Sequence, residues 1–455
     1  MKTLVILCIV GLLGLFSEIF NFKKQFLAIV FLGLATAVYF LVGDWNTNQA
    51  YFNNMILMDN FALSFTTVLT ILTIAWFIIA PSYVEDNTHK IDIYSLIIFS
   101  LIGGMMMASY SNLIMLFLGL EILSISMYIL AGSKKDSLAS NEAALKYFLM
   151  GAFATCFLLF GIALIYGHTQ SFDMTTIANV VSGSTGKEPM LIAGVLIVLF
   201  AMLFKVSAVP FHFWAPDVYQ GSPTIITAYM STVVKTAAFA ALLRMFITLF
   251  GNMEEVWSAS LWVIAAATIL IGNITAVFQT NMKRMLAYSS ISHAGYMLLA
   301  ILAMNQSSAG SLLFYTIAYS VSSIGSFTIL LLVNKTLGSD SIDSFNGLAR
   351  KNPLLAVFTV IAMLSLAGIP PTAGFFAKYY IFSAAIQHQL TGLVIIAVCG
   401  SLIGVFYYFK IIIALFKDKE TVHIPMNANE KTVLISTSII ALVLGILPGL
   451  IAGLI

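Results

Sequence analysis

The 455-residue chain is 60% hydrophobic and only 9% charged, with a mean hydropathy of +1.00 and a formal net charge of +2. A soluble protein carries about 25% charged residues, so these values exclude a soluble globular domain, and so small a net charge leaves no electrostatic footprint for nucleic acid. Cys8, Cys156 and Cys399 fall in separate apolar runs, which excludes a CxxC or Cys/His set for zinc or iron–sulfur ligation, and no Rossmann or P-loop glycine pattern occurs outside a hydrophobic run.

Apolar runs of spanning length predict about fourteen transmembrane helices, at 3–20, 25–42, 60–80, 92–108, 112–131, 141–166, 190–219, 224–250, 257–280, 285–304, 308–333, 353–386, 391–416 and 431–452. The first run follows Met1-Lys2 like a signal peptide. It contains Glu18, however, and no small-x-small cleavage site precedes Lys23-Lys24, so it reads as a helix. Taking alternate connections, one side collects Lys23, Lys24, Lys90, Lys134, Lys135, Lys283, Arg284, Lys335, Arg350, Lys351, Lys417, Lys419 and Lys431, and the other only Lys2 and Lys187. That asymmetry is the positive-inside pattern and puts both termini on the outer face. The longest polar connection, 168–189, falls on the outer face.

Two of the runs are predicted to break. Pro210 lacks an N–H and its ring clashes with the carbonyl of Val206, so the helix must kink or stop just beyond Lys205. Pro370 and Pro371 act in the same way on Leu366 and Ala367, with Gly368 and Gly374 allowing the chain to turn. LFKVSAVP (203–210) aligns with LSLAGIPP (364–371), and SISMY (124–128) loosely with SISHAGY (290–296). Five helices separate the breaks, and an odd offset predicts an inverted repeat. The chain then divides into a first three helices (1–90), a first repeat (91–250), a second repeat (251–417) and a last helix (418–455).

Several charges remain inside the runs: Lys146, Lys205, Lys235, Arg244, Lys378 and Lys410, with Glu121 as the deep carboxylate. A charge at the bilayer centre costs about 2.5–3.5 kcal/mol on insertion scales. Arg244 and Lys410 lie near helix ends and are expected to snorkel. Lys146 is a turn into its helix and either snorkels or turns inward towards Glu121. Glu121, Lys205, Lys235 and Lys378 are central. Burial disfavours the charged form of lysine, whereas a carboxylate about 4 Å away contributes about 4 kcal/mol at an effective dielectric near 20. Making or breaking a Glu121–Lys205 pair is therefore expected to switch the lysine between holding and releasing a proton. His212, just after the first break, and His293, within a helix, are secondary candidates; packing histidines are the alternative. His89, His168, His388 and His423 lie in connections.

The stretches GLEILSISMYIL (119–130), EAALKYFLMGAFAT (142–155), LFKVSAVPFHFWAPDVYQGSPT (203–224), TVVKTAAFA (232–240) and GIPPTAGFFAKYYIF (368–382) resemble the subunit N family of bacterial proton-pumping NADH:quinone oxidoreductase, respiratory complex I. The resemblance covers nearly the whole chain. It implies an all-α polytopic membrane fold of fourteen helices, the seventh and twelfth broken, in two inverted five-helix repeats. It implies that Glu121, Lys205, Lys235 and Lys378 form a proton relay, with Lys146 a secondary charge. It implies a place in the bacterial inner membrane beside sister antiporter-like subunits. No cofactor is expected in this chain; quinone, flavin and iron–sulfur clusters are expected in partner subunits. The alternatives are a subunit of a multisubunit cation/proton antiporter, which needs no quinone, and a structural spacer whose buried charges do nothing.

Overall fold

The computed structural model describes residues 1–17, 25–84, 90–183, 188–305 and 307–452. Glu18, Lys23, Lys24, His89 and Lys187 lie outside the described residues.

The described elements are, in order, α1 (Lys2–Phe16), α2 (Phe26–Gly43), a short hairpin of β1 (Gln49–Tyr51) and β2 (Ile56–Met58), α3 (Asn60–Ile79), α4 (Lys90–Ser109), α5 (Leu113–Ala131), α6 (Leu138–Thr169), α7 (Met174–Gly183), α8 (Pro189–Lys205), α9 (Trp214–Gly221), α10 (Thr224–Tyr229), α11 (Lys235–Thr248), α12 (Glu254–Val277), α13 (Met282–Ala303), α14 (Ser308–Leu337), α15 (Leu348–Lys351), α16 (Pro353–Ala367), α17 (Ala373–Gln387), α18 (Thr391–Leu415), α19 (Ala428–Ile446) and α20 (Gly449–Ala452). A π-helical turn, Met230–Val234, joins α10 to α11 into one long helix. Among the described residues eleven helical spans are long and apolar enough to cross a bilayer, and the shorter apolar helices α1, α8 and α16 bring the number to fourteen. The connection read as polar, 168–189, holds α7, because Met174, Ile177 and Val181 recur at helical spacing and are buried.

The helices divide into a shielded centre and a rim. The long helix α10–α11, together with α13 and α14, is buried on nearly every side. On the rim, α2, α6 and α18 leave Leu32, Tyr39, Phe153, Leu402 and Phe406 exposed, as lipid-facing helices do. The centre is also where hydroxyls gather: Ser290, Ser292, Tyr296, Tyr315, Ser320 and Ser323 are buried there. Polar side chains in a bilayer are stabilised when protein rather than lipid surrounds them.

Both breaks occur, and each is built from its own residues. The first opens where Pro210 requires, since α8 stops at Lys205 and Val206 is its C-cap. Its freed groups find partners: Ala208 N–H donates to Leu203 O (3.0 Å), Val209 N–H to Thr268 Oγ1 (2.9 Å) and Trp214 Nε1 to Phe204 O (3.1 Å). Irregular backbone at membrane depth persists only when buried and satisfied in this way. In the second break Gly368 turns with φ +82° and its N–H caps α16 on Leu364 O and Ser365 O. At Gly374, in the first turn of α17, a Cβ would lie 1.7 Å from Ser365 O, so only glycine lets the two half-helices meet.

Arg244 does not snorkel. It is 7% exposed, donates to Asp59 Oδ1 at 2.5 Å and stacks over Phe61, tying α11 to the start of α3. Asp59 also caps α3 by accepting from Ala62 N–H (2.8 Å). Lys410 stays half-buried at a helix end, on the carbonyl of Gln279 (3.1 Å).

Candidate functional site

Lys235 is the first residue of α11, directly after the π turn, and is 3% exposed. A π turn widens the helix by one residue and often marks a functional position. The Lys235 ammonium donates to Ser290 O (2.6 Å) and Ser290 Oγ (2.5 Å) on α13. The hydroxyls of Tyr219 and Tyr319 also lie beside Ser290. The charge is thus held by neutral hydroxyl and carbonyl dipoles, with no carboxylate in contact among the described residues.

Three residues further along α13, on the same face, His293 continues the row. Its Nδ1 hydrogen bonds with Tyr315 OH (2.7 Å) and its Nε2 with Tyr408 OH (3.1 Å); Tyr408 OH then meets Ser289 Oγ (2.5 Å). Both ring nitrogens are engaged, so the ring can accept a proton on one side and release one on the other. Lys235 and Lys378 are both near enough to act on His293 through their charge. A void of about 10 Å³ beside His293 is lined by Tyr315, Tyr319, Ser365, Gly374 and Ala377, close to the volume one water needs.

Lys378, on α17 after the second break, is 7% exposed. It reaches back across Gly368 to donate to Ala367 O (2.6 Å), an orphan carbonyl at the end of α16, and to Ser401 Oγ (2.8 Å). Tyr296, whose ring touches His293, lies under the same ammonium (5.3 Å). Lys235, His293 and Lys378 are therefore all buried in the shielded centre, with the Tyr296 ring against both His293 and Lys378.

The other expected residues lie nearer the rim. Lys205 is half-buried and donates to Ser124 Oγ (2.9 Å) and Tyr128 OH (3.2 Å). Glu121 accepts from Thr155 Oγ1 (2.8 Å). The expected Glu121–Lys205 ion pair is therefore not made in this state; among the described residues no contact within 4.0 Å joins them, although Glu121 is near enough to act on Lys205 through its charge. Two turns of α5 explain it: Ser124 and Tyr128 lie on the same face as Glu121 and occupy the ammonium. Lys146 does not turn towards Glu121 either. It pairs with Asp217 (2.8 Å) and Glu142 (2.7 Å), and Arg284 completes the cluster on Asp217 (2.9 Å). His212 is buried in the first break against Phe213, its Nδ1 without a hydrogen-bond partner among the described residues, and it joins none of the lysines.

Several members of the row were not singled out from the sequence. Tyr315, Tyr408 and Ser401 carry no local motif, and only their pairing across distant helices identifies them; Ser290 opens the SISHAGY stretch, whose alignment with SISMY was the one signal for it. Lys283, assigned to a connection, is 3% exposed and its ammonium donates to the carbonyl of Ser222. Its only signal was the adjacency to an apolar run.

A family model described as "NADH:quinone oxidoreductase/Mrp antiporter, TM" matches residues 108–404. A Cytophaga hutchinsonii protein named NADH-quinone oxidoreductase subunit N is 41% identical over 452 residues, 98% of this chain and 98% of its own. A chain in a structure of respiratory complex I from Thermus thermophilus with bound aureothin is 34% identical, with a TM-score of 0.86 over 99% of this chain and 98% of that one. A chain of the Mrp complex from a Dietzia species has a TM-score of 0.87 over 99% of this chain and 95% of that one, but is 21% identical, which speaks for a shared fold alone.

Proposed function

The chain belongs to the subunit N family of NADH-quinone oxidoreductase, and from that premise we propose that it is the antiporter-like subunit that moves protons while quinone is reduced in partner subunits. The observation that carries this reading is the set Lys235, His293 and Lys378, three buried titratable groups each hydrogen-bonded to a hydroxyl, Ser290, Tyr315 and Ser401 in turn, and shielded from lipid. Lysine and histidine can each gain and lose a proton, and tyrosine and serine hydroxyls pass one on by donating and accepting at once.

Glu121 and Lys205 form the switch at the other end. In the present arrangement Lys205 rests on Ser124 and Tyr128, and Glu121 on Thr155. A shift of Lys205 onto Glu121 would stabilise its charge by about 4 kcal/mol at 4 Å and an effective dielectric near 20. Departure from Glu121 would favour release of the proton along the row. Lys146 serves that switch as a positioning residue, holding the second half of the broken helix through Asp217.

The paired breaks at Pro210 and Pro370 support two inverted five-helix units, 91–250 and 251–417. We place the chain in the bacterial inner membrane with both termini on the outer face. The clustering of Lys134, Lys135, Lys283 and Lys335 around one cavity supports that orientation. Flavin, iron–sulfur clusters and quinone belong to partner subunits in this reading, sister antiporter-like subunits among the neighbours.

Replacement of Lys205 by alanine in the assembled complex is expected to lower proton transport into membrane vesicles about tenfold, and Glu121→Gln to have a similar effect. Undiminished transport by complexes with a normal subunit content would overturn the assigned switch.

A further inference from the structure

A cavity of about 870 Å³ opens among the connections of the basic face. Lys134, Lys135, Lys335, Asp136 and Asp340 stand around it, and Lys283 lines it while itself only 3% exposed. The relay described above makes no use of Lys283. Its ammonium donates to Ser222 O, with Asp340 and Lys134 within electrostatic reach. The Ser222 hydroxyl beside it is buried and has no partner among the described residues, which leaves a hydrogen-bonding position unfilled at the cavity floor.

From that floor the same two elements, α9 and α13, continue inward. Lys283 and Ser290 are seven residues apart on α13, and Tyr219 and Ser222 three apart at the end of α9. Both spacings keep the side chains on one helix face. Seven residues of α13 rise about 10.5 Å. At the outer rung Lys283 meets Ser222; at the inner rung Ser290 lies beside the Tyr219 hydroxyl and accepts from Lys235. One face of one buried helix thus leads from the cavity to the central lysine.

We propose that Lys283 is the proton-uptake residue of this subunit, receiving protons from the basic-face cavity and passing them through the Ser290 and Tyr219 hydroxyls to Lys235. The transfer breaks one N–H bond on the Lys283 ammonium and forms one on the Lys235 amine. Each hydroxyl between them gives up a proton as it accepts another, so neither gains charge. The inference rests on the role proposed above for Lys235.

The bland reading of Lys283 is a cation capping the end of α9, and the conservative variants separate the two. Lys283→Arg keeps the charge and the bond to Ser222 but cannot release a proton at neutral pH. Lys283→His can. In complexes assembled in membrane vesicles, Lys283→Met and Lys283→Arg are expected to lower proton transport about tenfold, and Lys283→His to restore most of it. Arginine restoring transport as fully as lysine would overturn the proposal, as would a Lys283→Met complex that assembles and pumps at the normal rate. If Lys283→Met fails to assemble, the arginine and histidine variants decide. Lys235→Met is measured in parallel: normal pumping there overturns the relay itself, whereas loss of pumping there with normal Lys283 variants overturns the uptake role alone.

Discussion

Lys235→Met should lower proton transport by the assembled complex about a hundredfold, the lower end of what a positioned proton-transfer group contributes. The expectation follows from where Lys235 sits. It is 3% exposed and donates to Ser290, and among the described residues it is the one amine at the junction between the α9–α13 face and His293. Methionine has similar length and bulk and introduces no unpaired buried charge, so the subunit should still fold and assemble. Lys235→Arg keeps the positive charge yet retains its proton, and it should not rescue transport. Rescue by arginine would mean that charge at this point, rather than exchange, is what matters. The assay is acidification of inverted vesicles driven by substrate oxidation, normalised to the amount of assembled subunit.

Gly374→Ala is expected to remove most of the assembled subunit from the membrane. Its added Cβ would lie 1.7 Å from Ser365 O, and the obstruction is backbone, so a rotamer change cannot relieve it. The half-helix α17 would have to separate from the end of α16. Overpacking of this kind costs about 1–3 kcal/mol or more. It also draws Lys378 away from the carbonyl of Ala367, which it reaches across this junction. Gly392→Ala is the matching control, because the nearest atom to its Cβ is 4.0 Å away. Quantifying the subunit in membranes by immunoblot separates the two; equal amounts would show that the second break tolerates a wider gap than its geometry indicates.

Much of the architecture was legible because its signals are local. Prolines, glycines and long apolar runs act on the backbone within a few residues, so fourteen spans and two interruptions could be read directly. Lys235, Lys378 and His293 stood out because a polar group amid apolar neighbours is costly to bury without purpose. What remained hidden was pairing across distance. Arg244 looked like a snorkelling residue because its partner, Asp59, lies 185 positions away beyond a hairpin. Lys146 finds Asp217 71 positions on, and that bond takes it away from Glu121. Lys283 counted as a connection charge because it stands one residue into α13, and only the fold brings the end of α9 over it. Periodicity tells which face of a helix is apolar, but in a helix buried on every side, such as α13, it is silent about which neighbour each face meets.

The first break adds a subtler lesson. Proline accounts for the loss of helix at Val206, where α8 has ended, but the open backbone that follows is held by Thr268 and Trp214. The break is thus a tertiary construction that proline permits. Its consequence is that Lys205 stands at a helix end, where the ammonium opposes the negative pole of the helix dipole, and is free to choose between the hydroxyls it now holds and Glu121.

The most direct measurement is proton transport by a complex in which Lys205, Lys235 and Lys378 are replaced together by methionine, read per assembled subunit. The account predicts that the subunit is present in normal amount and that transport by the complex falls about a hundredfold or more. Transport at the unsubstituted rate by such a complex would contradict it.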